Sequence, residues 1–134
     1  MITLNLLQFI EDNGLGKIDQ SLFWEKMAYD KNGVYIRSLG QPTERGSLKL
    51  QSFELYSRGS DDVKAYKQLA NILALLDRSF DVCKLPAVID CDNSLLADEV
   101  NYVSILPTSS ITNYGTDDNG RVIYSAQGSI YYKI

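Results

Sequence analysis

Between Ser47 and Ser79 the chain changes its hydrophobic period once, from alternation to spacings of three and four, with no linker at the change. A strand that feeds directly into a helix restricts the fold to those that mix both kinds of element. Leu48 and Leu50 lie on one parity and Phe53 and Leu55 on the other, which predicts either a bulge near Gln51-Ser52 or a strand buried on both faces. After Arg58-Gly59, Ser60 offers an N-cap and Asp61-Asp62 place negative charge in the first turn, where the helix dipole favours it. Val63, Tyr66, Leu69, Ala70, Leu73 and Leu76 then form an apolar stripe, with Lys64, Lys67, Gln68 and Asn71 outside it. This predicts a core helix ending near Ser79.

Upstream, Thr3 is placed to cap a short helix over residues 3 to 13, with Leu6, Leu7, Phe9 and Ile10 at helical spacing and Gly14 and Gly16 stopping it. Leu22-Phe23-Trp24 and Gly33-Val34-Tyr35-Ile36-Arg37, separated by the turn residues Asp30 to Gly33, read as two strands entering a β-hairpin. Residues 39 to 46 hold two glycines, Pro42 and unpatterned charge, which predicts a mobile loop whose residues 40 to 46 form a contact that orders on assembly. Residues 81 to 99 mix short apolar pieces with Pro86 and several aspartates, predicting brief extended segments and turns. Two β-rich runs, about 100 to 114 and 121 to 133, close the chain. Asn119-Gly120 between them supplies the positive φ that tight hairpin turns require. In the last run Val122, Tyr124, Ala126, Ile130 and Tyr132 form a core face, and the other parity is largely polar with tyrosine edges.

A length of 134 residues with 45% hydrophobic and 22% charged residues predicts one α+β domain over residues 1–134. No apolar run approaches the roughly 20 residues that span a bilayer, and Met1-Ile2-Thr3 lacks the basic start of a signal peptide. A cytoplasmic start, away from membranes, is expected. The net charge of -4 argues against a basic groove that grips phosphates and suits a wall that nucleic acid slides past.

The chain has no histidine, which removes the commonest general base and metal ligand. Gly14-Leu15-Gly16-Lys17 lacks phosphate-loop spacing and reads as a helix C-cap. Asp90-Cys91-Asp92-Asn93 with Asp98-Glu99 is dense in carboxylates but lacks the glycine and closing glutamate of a calcium loop, so a solvated turn is expected. Cys83 and Cys91 fit no zinc spacing and have no histidine to activate a thiolate; reduced, partly buried thiols are expected. Tyr102, Tyr114, Tyr124, Tyr131 and Tyr132 are candidates for a stacking platform, although the acidic charge favours strand packing and subunit contact for them. The reading is a non-enzyme without cofactor or metal.

The order of elements resembles the tail-terminator family of siphophages and the related phage minor capsid and tail-completion proteins. The residues that carry it are Leu48 through Gly59 feeding Ser60-Asp61-Asp62-Val63-Lys64-Ala65-Tyr66, and the closing run Tyr114 through Tyr132. The resemblance implies a small mixed, largely antiparallel sheet with two main helices packed on it. It also implies a hexameric ring that caps the tail tube and joins tail to head, with no catalytic residues. Tail tube protein and head-tail connector would be its partners, with DNA passing through unbound. The site would be the neck of the virion tail, after assembly in the host cytoplasm. Gln41, Pro42, Thr43, Glu44, Arg45, Tyr114 and Tyr131 are the candidate interface residues, with strand edges and tyrosine-bearing faces meeting a neighbour and acidic side chains toward the opening. Another phage neck or head-completion connector, a cytoplasmic binding module, and a small carboxylate enzyme remain the alternatives.

Overall fold

The computed structural model describes residues 2–77, 79 and 84–133. Two helices, α1 (Ile2–Asp12) and α2 (Asp62–Asp77), accompany nine strands among these residues. The strands are β1 (Leu22–Trp24), β2 (Gly33–Arg45), β3 (Leu48–Gly59), β4 (Lys84–Leu85), β5 (Val88–Ile89), β6 (Leu95–Ala97), β7 (Val100–Pro107), β8 (Thr112–Thr116) and β9 (Val122–Lys133). Seven of them form one sheet in the order β1-β2-β3-β9-β7-β4, with β8 beside the first half of β9. β1 and β2 are parallel and the other pairs antiparallel, while β5 and β6 make a separate hairpin. The protein is thus an α+β fold with a mixed, largely antiparallel sheet and both helices packed on it.

The core explains why β3 is central. Val34, Ile36, Phe53, Leu55, Ala126 and Ile130 project from β2, β3 and β9 onto the same apolar cluster as Leu6, Leu7 and Ile10 of α1 and Leu69, Ile72 and Leu76 of α2. Phe53 through Ser57 are all buried, so the two parities of β3 reflect a strand covered on both faces. No bulge interrupts its pairing with β9. The register shift lies instead in β2, where Gly40, Gln41 and Pro42 stand opposite Gln51.

That shift belongs to a correction. Residues 39 to 45 are not a loop: β2 continues to Arg45, which pairs with Leu48 around a tight turn with Gly46 at φ 62°. Proline, charge and a bulge are what an edge strand tolerates, because its outer N–H groups need no partner in the sheet. Beyond Ser38, no strand pairs with the outer edge of β2 among the described residues.

β1 does not enter a hairpin with β2 but runs parallel to it, Leu22 opposite Val34 and Trp24 opposite Ile36. The connection folds back so that Val34 N–H donates to Ser21 O at 2.8 Å, and Gly33, at φ 146°, passes so close that a Cβ would overlap the Ser21 carbonyl. Two arginines secure this connection. Arg58 donates to the carbonyls of Ala28 and Lys31, each at 2.6 Å, and Arg121 donates to Tyr29 O at 2.7 Å and to Asp117 Oδ2 at 2.8 Å.

The helix starts also differ from expectation. α1 begins at Ile2, so Thr3 is no cap; its buried hydroxyl accepts from Trp24 Nε1 at 2.8 Å and meets Ser38 Oγ at 3.1 Å. At its C-terminus, Gly14 at φ 78° donates to Glu11 O, and Leu15 N–H donates to Ile10 O, the paired bonds of a Schellman cap. α2 is capped by Asp61, whose Oδ1 accepts from Lys64 N–H at 3.2 Å, rather than by Ser60. Its buried stripe is Ala65, Leu69, Ile72 and Leu76, which leaves Val63 59% and Tyr66 46% exposed. The run predicted over residues 100 to 114 divides into β7 and β8, and in the turn before β9 Gly120, at φ 76°, carries the positive φ. Cys83 and its neighbours at 81 and 82 lie outside the described residues.

Candidate functional site

Strand alternation gives the sheet a second face, turned away from both helices. The register aligns Arg37, Glu54 and Gln127 in one row across β2, β3 and β9, and Tyr35, Tyr56 and Ser125 in the next. Arg37 Nη2 donates to Glu54 Oε1 at 3.1 Å, and Gln127 Nε2 donates to Oε2 at 3.3 Å. Tyr56 also donates its hydroxyl to Glu54 Oε1. The Tyr35 and Tyr56 rings stack with centroids 4.8 Å apart, and the Arg37 guanidinium lies 5.7 Å from the Tyr56 centroid. Glu54 and Tyr56 are buried, although no helix covers them.

This network is built to hold its own charges. Burial, together with the hydrogen bond to Glu54 and its negative charge, pushes the Tyr56 phenol well above the ordinary tyrosine range. Burial also raises Tyr35, against the opposing charge of Arg37. Both oxygens of Glu54 accept hydrogen bonds, two at Oε1 and one at Oε2, which anchors the carboxylate within the sheet. Among the described residues no buried side-chain polar atom lacks a partner.

The candidate interface residues fall at the two ends of this face. Tyr114 occupies the register shift between Asn113 and Gly115, with Gly115 at φ 106° and its N–H donated to Asn113 Oδ1 at 2.8 Å. Its ring meets Tyr56 edge-on at 5.7 Å while the residue stays 64% exposed. Tyr131 shares a register row with Leu50 and Thr43, which puts it at the same end of the sheet as the β2 arm. Gln41, Thr43, Glu44 and Arg45 are exposed there and Pro42 is half-buried. Tyr114 lies near Tyr124 along β9, seven residues from Tyr131 and thus roughly 23 Å away at the rise of a strand. The arm and Tyr131 share one end of the sheet with β3 between them, and Tyr114 does not join them.

Tyr35, Arg37, Glu54, Tyr56 and Gln127 were missed by sequence reasoning. The available signal was the i, i+2 spacing of Tyr35 with Arg37 and of Glu54 with Tyr56, which puts each pair on one face of its strand.

Other motifs settle into structural roles. Asp90 Oδ1 accepts from the backbone of Asp92 and Ser94, each at 2.9 Å, which makes the acidic cluster a turn. Among the described residues no three His, Cys, Asp or Glu side chains gather to hold a metal. Cys91 is a free thiol that is exposed rather than partly buried, because it lies in the Asp90 turn. The five tyrosines do not share one platform: Tyr124 packs on Tyr66 of α2, and Tyr102 is buried with its hydroxyl donated to Ser79 O at 2.6 Å. No helix among the described residues is long and apolar enough to cross a membrane. No protein-family model matches the chain, and no curated protein matches it either.

Proposed function

We propose that this protein is a non-enzymatic structural subunit that assembles with copies of itself into a ring, acting as a tail terminator that caps a phage tail tube and joins it to the head. The observation that carries the reading is the open sheet face. Its central polar groups hydrogen-bond to one another, while Tyr114 at one end and the exposed β2 arm at the other project outward. A rigid face with projecting rims suits contact rather than chemistry. The assignment to a phage tail rests on the resemblance in element order, a helix, a strand pair, a long strand running into a capped helix, and a closing hairpin, although the flexible loop expected before the long strand is part of β2.

In this reading the partners are the tube protein, the connector and further copies of the chain, and DNA passes through without tight binding. The test is the mass of the protein in solution over a wide concentration range, combined with imaging of the protein alone and with purified tail tubes. Assembly beyond a dimer, or decoration of tube ends, supports the proposal. A monomer at every concentration that also leaves tubes bare would overturn it.

A further inference from the structure

A groove of about 660 Å³ lies between α1, the end of β1 and the β5–β6 hairpin. Its apolar wall is formed by Leu4, Phe23, Trp24, Val88, Ile89 and Leu96. Ile89 is 57% and Leu96 47% exposed at its mouth. The rim carries Glu11, Asp19 and Asp90 against the one cation Lys26, so the groove is acidic. Elsewhere, α2 turns the opposite chemistry outward. Val63, Tyr66 and Lys67 share its solvent face at spacings of three and four, with Lys64 beside them, Tyr66 half-covered by its edge-on contact with Tyr124 and Asp61 and Asp62 at the start of the helix. The two surfaces have no residue in common.

We infer that the groove receives the outer face of α2 from a second copy of this chain, Val63 entering the apolar floor and the exposed part of Tyr66, still packed on Tyr124, covering its margin while Lys64 and Lys67 meet the acidic rim. The inference rests on the self-assembly proposed above and specifies its contact. Two different surfaces that fit each other make a heterologous interface, which propagates from copy to copy and closes when the rotation allows. Backbone edges are a weaker route. The free edge of β2 carries Pro42, Glu44, Arg45 and a bulge, and β8 is short with a bulge at Tyr114; these are the devices that block edge pairing. Side-chain surfaces with matched polarity and opposite charge carry the contact instead.

The experiment uses two full-length variants, each broken on one surface at exposed positions. One is Ile89→Asp with Leu96→Asp, and the other is Val63→Asp with Lys67→Glu. Circular dichroism checks that both fold, and Leu96→Lys alone serves if the double groove variant does not. Sedimentation then measures mass for the wild type, each variant and their equimolar mixture. The expected result is that each variant alone remains a monomer, whereas the mixture gives a one-to-one heterodimer through the single intact pair of surfaces. Variants that assemble like the wild type would overturn this contact and leave the ring standing. A wild type that is monomeric in solution and on tail tubes would overturn both.

Discussion

The two faces of the sheet are buried by different means. On the helix side, Phe53, Leu55, Ala126 and Ile130 lose water by packing against apolar side chains, a stabilisation that needs little directional accuracy. On the open side, Glu54 and Tyr56 lose water because Arg37, Tyr35 and Gln127 close over them from the two neighbouring strands. That arrangement is directional and fixes register as well as burial. One strand, β3, supplies both layers through alternate residues, so Phe53-Glu54-Leu55-Tyr56 is buried throughout without being uniformly apolar.

The comparison predicts that the faces fail to different extents. Phe53→Ala empties a fully buried site, with no access for water and a neighbouring Gly128 that cannot fill the space; it should cost about 3–5 kcal/mol in urea unfolding. A loss below about 1 kcal/mol would mean that the helix side is not the principal core. Glu54→Ala leaves the Tyr56 hydroxyl and Arg37 without their acceptor, at a cost of about 1–3 kcal/mol. Equal effects from the two substitutions would erase the distinction between the faces.

How much of this was legible in the sequence follows the range of the interactions. Gly14 as a C-cap and the turn before β9 are local, and both were read from a few adjacent residues. The α2 stripe was misplaced because Val63 and Tyr66 are apolar yet exposed, so periodicity drew them inward while packing selected Ala65 and Ile72. Leu22-Phe23-Trp24 carries no mark of strand direction, which is set by Gly33 approaching Ser21 and by Arg58 and Arg121 holding the intervening carbonyls. The Glu54 network was hidden for a similar reason. Its partners lie 17 and 73 residues away in the chain, and only the register of three strands brings them together.

Alkali sharpens the contrast between the faces. Tyr56 titrates above its ordinary value of 10.0 because burial, then the hydrogen bond and charge of Glu54, favour the neutral phenol. The folded state therefore holds this proton more tightly than the unfolded chain. Its contribution is fully present below about pH 10 and is lost as pH rises from there through the raised value. Stability measured against pH should fall across that alkaline range, and Tyr56→Phe should reduce the slope. In a spectrophotometric titration of the nine tyrosines, Tyr56 should be among the last to ionise, with Tyr35 and Tyr132, which burial also raises. An unchanged titration in Tyr56→Phe would remove the network from the account.

The smallest expected effect concerns Tyr114, which touches the open-face network without belonging to its hydrogen bonds. It meets Tyr56 through one ring edge, stands at a register shift and remains 64% exposed. An edge-on aromatic pair contributes about 0.5–1.5 kcal/mol, and the exposure here argues for the lower end. Tyr114→Ala should therefore lower stability by roughly 0.5 kcal/mol in the free protein. If Tyr114 is part of the proposed contact surface, the same substitution should weaken decoration of tail-tube ends by considerably more than its effect on folding, since a projecting tyrosine contributes most where a partner desolvates it. Measuring both quantities on one variant separates the roles. A loss of stability of about 2 kcal/mol or more with binding intact would make Tyr114 a lid on Glu54 and Tyr56 rather than a contact residue.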